Sequence, residues 1–178
     1  GMGDERYAAP WFIDTRALFY RKDYCEMAGV NPETDFETWD TFVQALEKLK
    51  GLVVDGREIA PLMMPGKNDW NVIHNFAPWI WGAGGDFIAE DMKTCIINSP
   101  EAFEGVKFYS ELAIKGLLSM PHLEKNSAEV EAIFNSGDAA IIFTGAYHIN
   151  TLRREAPEVA EKIGTVPFPA GPKGRYVF

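Results

Sequence analysis

The feature that most constrains the fold is an unbroken apolar run in the last third of the chain, Ala139-Ala140-Ile141-Ile142-Phe143. A strand with no polar residue on either side is typical of a sheet that helices cover on both faces. Turn residues bound the run, with Gly137 before it and Gly145 after it. The run therefore predicts a central strand of an α/β protein.

Other apolar segments are also predicted to be strands, and helices separate most of them. They are Tyr7–Phe12, Ala17–Tyr20, Ile59–Met64 and Ile163–Val166. Strands joined through helices imply crossover connections. We therefore predict the α/β class, with a mostly parallel sheet flanked by helices.

Helix ends are marked by capping residues. Thr38 is the predicted N-cap of a helix with one apolar face, and Gly51 ends it. Ser99 followed by Pro100 begins another helix, and Gly29 ends a short one that starts at Lys22. A further helix is predicted over 69–81, with Asn68 or Asp69 as its N-cap and with Pro78 expected to kink or divide it. Two more are predicted over 127–134 and over 147–156.

The charge balance excludes two classes of partner. The chain has 17 Lys and Arg against 26 Asp and Glu, a formal net charge of −9, and its longest basic cluster is Arg153-Arg154. Nucleic acid and anionic membranes are therefore not expected partners. No apolar run approaches the roughly 18–20 residues that span a bilayer.

No cofactor, metal or catalytic motif is predicted. The chain lacks a nucleophile elbow, a phosphate loop and a zinc-protease motif, and its three histidines have no metal-ligand spacing. The cysteines, Cys25 and Cys95, are expected to be two buried free thiols, with one disulfide as the alternative.

Aromatic residues, 13% of the chain, provide the first candidate site residues. Trp79 and Trp81 lie at helical spacing and are expected in the core. Trp70 differs because it begins its helix between Asp69 and Asn71. A flat apolar ring beside an amide and a carboxylate suits a sugar, whose faces are rich in C–H groups and whose edges are hydroxyls.

Four segments stand in a characteristic order along the chain. They are Tyr7–Asp23 with Ala28-Gly29, Thr38-Trp39-Asp40-Thr41-Phe42, Phe134–Ala140 with Gly145-Ala146-Tyr147, and Val166–Pro172. Together they resemble segments of bacterial extracellular solute-binding proteins of the sugar type, the relatives of maltose-binding protein. Arg21 stands where that family usually has Asn, and Thr41 where it has an acid.

The resemblance implies the second lobe of a two-lobe, type II periplasmic-binding-protein-like fold. Residues 1–3 are expected to be a tag remnant, and residues 4–20 hinge-proximal strands entering the lobe. Residues 21–166 would form the ligand-binding lobe. Residues 167–178 would be a loop and strand leading back toward a missing first lobe, so we expect the chain to be a piece of a longer protein.

The resemblance also implies roles for five residues. Tyr147 falls where the family often has a Trp that stacks on the sugar, and Asp14 where a polar group accepts hydrogen bonds from sugar hydroxyls. Trp70 and Asn71 fall in the region that lines the cleft. Trp11 lies just before the hinge crossing.

The function implied is capture of a small carbohydrate for an ABC importer, without enzymatic activity. The expected partners are the sugar, the membrane permease and the missing first lobe. The expected location is periplasmic or extracellular, with a lipid anchor as one form of attachment. Two alternatives remain open: a non-sugar ligand (polyamine, anion or metal), and a glycan-active enzyme that uses Asp14 and Asp69 as paired carboxylates.

Overall fold

The computed structural model describes residues 9, 11, 14–66 and 69–177. The elements follow in the order β1 (Arg16–Arg21), α1 (Lys22–Ala28), α2 (Pro32–Asp35), α3 (Trp39–Leu49), β2 (Val53–Val54), β3 (Arg57–Glu58), β4 (Ala60–Met63), α4 (Val72–Ala83), α5 (Pro100–Ile114), α6 (Ser127–Asn135), β5 (Ala139–Gly145), α7 (His148–Glu155), α8 (Pro157–Ala160) and β6 (Ile163–Val166). A short 3-10 helix, Met120–Glu124, lies between α5 and α6.

The main sheet has four strands in the order β4-β5-β1-β6, and it is mixed. β4 and β5 are parallel, whereas β1 is antiparallel to both β5 and β6. The prediction of a mostly parallel sheet is therefore right for the common direction of β4, β5 and β6 and wrong for β1. A helix between two strands permits a parallel pair but does not require those strands to be neighbours. β1 lies between β5 and β6, two strands far from it in sequence.

β5 is the central strand, and all seven of its residues are buried. Ile141 and Phe143 belong to a core cluster that includes buried residues of α3, α4 and α5. Ile142 belongs to a second cluster, with Val130 and Phe134 of α6. The predicted strand covered on both faces is thus confirmed.

Most predicted helix ends are confirmed. Thr38 caps α3 in a capping box with Thr41, and Ser99 caps α5. Gly29 ends α1 in the left-handed region, at φ 65°. α4 continues through Pro78 without division. Its N-cap is Asn71 rather than the predicted Asn68 or Asp69. Asn68 itself lies outside the described residues.

The segment after β6 packs on the core. Phe168 is buried, with its ring centroid 4.6 Å from that of Trp79. The backbone N–H of Trp39 donates a hydrogen bond to the backbone carbonyl of Ala170 at 2.9 Å. The hydrophobic core therefore includes residues beyond 166, and residues 175–177 are irregular rather than a strand.

Two other sequence expectations have mixed outcomes. Cys25 is a buried free thiol as expected, but Cys95 is free and exposed because it lies in the loop between α4 and α5. Of the predicted strand Tyr7–Phe12, Ala9 and Trp11 lie in no regular element, and the rest falls outside the described residues. Within the described ranges, no helix has the length and apolar character needed to cross a bilayer.

We predict that loss of one tryptophan in α4 is strongly destabilising and that loss of another just before α4 is not. Trp79 is fully buried among rings that include Phe108, Phe143 and Phe168. Trp79→Ala should therefore lower the free energy of unfolding by about 3–5 kcal/mol. Trp70 is 79% exposed, so Trp70→Ala should change the free energy of unfolding by no more than about 0.5 kcal/mol. Urea denaturation measures both, and equal losses would contradict this description of the core.

Candidate ligand-binding site

One edge of the sheet gathers most of the candidate residues. The carboxyl ends of β4, β5 and β6 meet the amino end of β1 there, with Arg16 opposite Gly145. Ligands of α/β proteins commonly bind beyond the carboxyl ends of strands. We call this edge the strand-end surface; its side chains are Asp14, Arg16, Trp70, Asn71, His74 and Tyr147.

Tyr147 and Asp14 meet over Gly145. A Cβ at Gly145 would lie 2.6 Å from Cε1 of Tyr147 and 2.9 Å from Oδ1 of Asp14, so only glycine leaves room for both. Tyr147 remains 45% exposed, and Asp14 is exposed. The end of β5 therefore presents an aromatic ring and a carboxylate side by side.

A hydrogen bond to Glu131, beneath the strand-end surface, holds the hydroxyl of Tyr147 in place. The hydroxyl donates to Oε1 of Glu131 at 2.6 Å, and the Thr144 hydroxyl donates to the same oxygen at 2.5 Å. Nδ1 of the fully buried His148 lies 3.4 Å from Oε2 of Glu131. Burial acts to raise the pKa of Glu131, but the nearby His148 ring and the hydrogen bonds from Thr144 and Tyr147 outweigh it, so the pKa is lowered.

A buried arginine lies beside this pair. Nη2 of Arg16 donates to Oδ1 of Asn71 at 3.0 Å and lies 3.0 Å from Nδ1 of His74. Burial, followed by the positive charge of Arg16, lowers the pKa of His74. His74 is therefore neutral near pH 7, with Nδ1 as the acceptor.

Trp70 is held at the surface by its neighbours. Its ring meets the His74 ring edge-on, with centroids 5.5 Å apart. The preceding residue, Asp69, accepts the Asn71 N–H at 2.6 Å through Oδ1. Oδ2 of Asp69 accepts the N–H of Ser127, the first residue of α6. This carboxylate therefore ties the loop that carries Trp70 to α6.

The structure brings together four of the five candidate residues, Asp14, Trp70, Asn71 and Tyr147, at one edge of the sheet. Trp11 is exposed, and no contact within the described residues joins it to this group. Sequence reasoning missed Arg16, although its position two residues after Asp14 in an extended segment places both on one side. It also missed Glu131, for which the sequence carries no local signal.

The site can bind a polar ligand that has an apolar face. Two exposed rings offer flat surfaces, the Asp14 carboxylate accepts hydrogen bonds, and the guanidinium of Arg16 donates them. Among the described residues, no group of three or more His, Cys, Asp or Glu could hold a metal ion.

Several known proteins resemble this chain over most of its length. The family model for the bacterial extracellular solute-binding protein matches residues 1–176. A "Probable ABC transporter-binding protein" of Deinococcus radiodurans is 27% identical over 98% of the chain, which spans 41% of that relative. A Thermotoga lettingae ABC transporter solute-binding protein bound with α-D-tagatose is 25% identical, with a TM-score of 0.81; the match covers 95% of this chain and 42% of that one. Maltose-bound T. maritima MalE3 is 27% identical, with a TM-score of 0.78, and the match covers 94% and 41%.

We predict that Asp69 stabilises the loop in a pH-dependent way. Asp69→Ala removes the acceptor of two backbone N–H groups and should cost about 1–2 kcal/mol in this partly solvated position. Burial acts to raise the pKa of Asp69, but the hydrogen bonds lower it overall. Its contribution is therefore complete above the unfolded pKa, near 4, and is lost as the pH falls through the folded value.

Urea denaturation of the wild type and of Asp69→Ala at several pH values measures this effect. The difference between the two proteins should be largest at neutral pH and should shrink below about pH 4. Glu90→Ala is the control because Glu90 is exposed in the loop after α4. A difference independent of pH would contradict the role of the carboxylate.

Proposed function

We propose, since the chain belongs to the bacterial extracellular solute-binding protein family, that it is a carbohydrate-binding lobe whose site is the strand-end surface. The observation that carries the proposal is the half-exposed ring of Tyr147 anchored beside the exposed carboxylate of Asp14. The sugars bound in the two structures described above support it.

Binding would combine stacking with hydrogen bonding. The rings of Tyr147 and Trp70 would pack on C–H-rich faces of the sugar. Asp14 would accept hydrogen bonds from sugar hydroxyls, while Arg16 and the Asn71 amide would complete the polar contacts. Trp11 would contribute from the segment before β1, close to the connection with the other lobe.

The rest of the site would come from a second lobe. The chain spans 41% of its Deinococcus relative, and hinge closure of two lobes around a ligand is an established form of conformational change. The closed protein would then deliver the sugar to the membrane permease of an ABC importer. This role requires a location outside the cytoplasmic membrane, either in the periplasm or tethered to the cell surface by a lipid.

The charges at the site favour a neutral ligand over an anion. Among the residues that the structure describes, three carboxylates, Asp14, Asp69 and Glu131, lie at or just beneath the strand-end surface, together with the guanidinium of Arg16. An anionic ligand would meet a surplus of negative charge.

The same contacts argue against a glycan-active enzyme. Such enzymes use two carboxyl groups that are free to exchange protons or attack the sugar. Both oxygens of Asp69 accept backbone N–H groups, so Asp69 is not free to act as the catalytic partner of Asp14. We therefore propose binding without catalysis.

Substitution of the two rings tests the proposal. Tyr147→Ala or Trp70→Ala in the two-lobe protein should weaken sugar binding about thirtyfold, which is the loss of about 2 kcal/mol expected at a binding hot spot. The measurement is isothermal titration calorimetry with sugars chosen by a thermal-shift screen of mono- and oligosaccharides that includes maltose and D-tagatose.

Tyr176→Ala is a matched control, because Tyr176 is 44% exposed and Tyr147 is 45% exposed. Tyr176 lies beside Gly174 and is not one of the side chains of the strand-end surface, so this variant should keep full affinity. Unchanged affinity in Tyr147→Ala or Trp70→Ala would remove that residue from the site. A screen in which only amines or anions stabilise the protein would overturn the carbohydrate assignment.

A further inference from the structure

We infer that Glu131 is a positioning residue of the sugar site, one that orients the ring of Tyr147 without contacting the ligand. This inference rests on the proposed function, in which Tyr147 stacks on the sugar. It assigns a binding role to a side chain of α6, a helix that contributes no ring to the strand-end surface.

The ring of Tyr147 is fixed at two places. Its Cδ1–Cε1 edge lies against Gly145, where a Cβ would come within 2.7 Å of both atoms. At the far end, the hydroxyl donates to Oε1 of Glu131 at 2.6 Å and lies 3.2 Å from Oγ1 of Thr144. An edge contact and a tip contact together determine the ring plane, which leaves the exposed part of the ring for a ligand.

The carboxylate that holds the ring is itself immobile. The Glu131 side chain is only 14% exposed, and its second oxygen faces the buried ring of His148. The groups that face it are Thr144 from β5 and Tyr147 and His148 around the start of α7. Glu131 is therefore held on three sides and cannot follow a ring that swings away.

A ring fixed before binding loses less conformational freedom when the sugar arrives. Ordering one mobile side chain on binding corresponds to about a fivefold loss in affinity. Release of the Tyr147 ring should therefore weaken binding by about that factor, well short of the effect of removing the ring altogether.

A double-mutant cycle in the two-lobe protein separates positioning from a general structural role. Glu131→Leu keeps the side-chain size but cannot accept a hydrogen bond, and Tyr147→Phe keeps the ring but lacks the hydroxyl. Each single variant and the double variant should bind maltose or D-tagatose about fivefold more weakly than the wild type, with no additional loss in the double variant. Glu131→Gln retains an acceptor for the hydroxyl and should bind as the wild type does.

A loss in the double variant equal to the product of the two single losses would overturn the inference, because Glu131 would then act independently of the hydroxyl. Wild-type affinity in Glu131→Leu would also overturn it.

A measurement without sugar distinguishes failure of this inference from failure of the proposed function. Burial raises the pKa of Tyr147, and the hydrogen bond and negative charge of Glu131 raise it further. Ultraviolet titration of the wild type minus Tyr147→Phe isolates this phenol. Its pKa should be lower in Glu131→Gln, which lacks the negative charge. An unchanged pKa would show that the Glu131–Tyr147 contact is absent, whatever the ligand is.

Discussion

The complete burial of β5 determines where the other elements lie. Seven consecutive buried residues require a neighbouring strand on each side and helices on both faces. β4 and β1 are the neighbouring strands, and two core clusters cover the faces. Because the strand ends at Gly145, the chain emerges from the core at the strand-end surface. The position of Tyr147 is thus a consequence of core packing.

The electrostatics of this edge follow from the burial of one cation. Arg16 lies at the first position of β1 and is almost fully buried, so its guanidinium requires partners. The partners shown are an amide oxygen and a histidine nitrogen rather than a carboxylate. A neutral His74 accepts a hydrogen bond from the guanidinium without cancelling its positive charge, so the strand-end surface has both a cationic donor, Arg16, and an exposed acceptor, Asp14. That combination suits hydroxyl groups, which both donate and accept hydrogen bonds.

Residues at helix ends predicted the local structure correctly, but the sequence did not predict how distant strands pair. Thr38, Ser99 and Gly29 act through hydrogen bonds and backbone angles within a few residues, so their roles could be predicted from the sequence. The direction of β1 depends on partners more than a hundred residues away. The shared location of Asp14, Trp70, Asn71 and Tyr147 followed from family resemblance rather than from periodicity. Glu131 could not be found by either route, because its role depends on the packing of α6 against β5.

α6 links the two aromatic rings of the site. Its first residue, Ser127, binds Asp69 in the loop that carries Trp70, and Glu131 binds Tyr147. Ser127 contributes its backbone N–H at the start of the helix, and Glu131 contributes its side chain about one turn later, so the first turns of one helix anchor both loops. Buried Val130 and Phe134 fix this helix against the sheet. The distance between the two rings is therefore set by a rigid element beneath the surface, and a ligand that contacts both rings binds to a spacing the fold has already established.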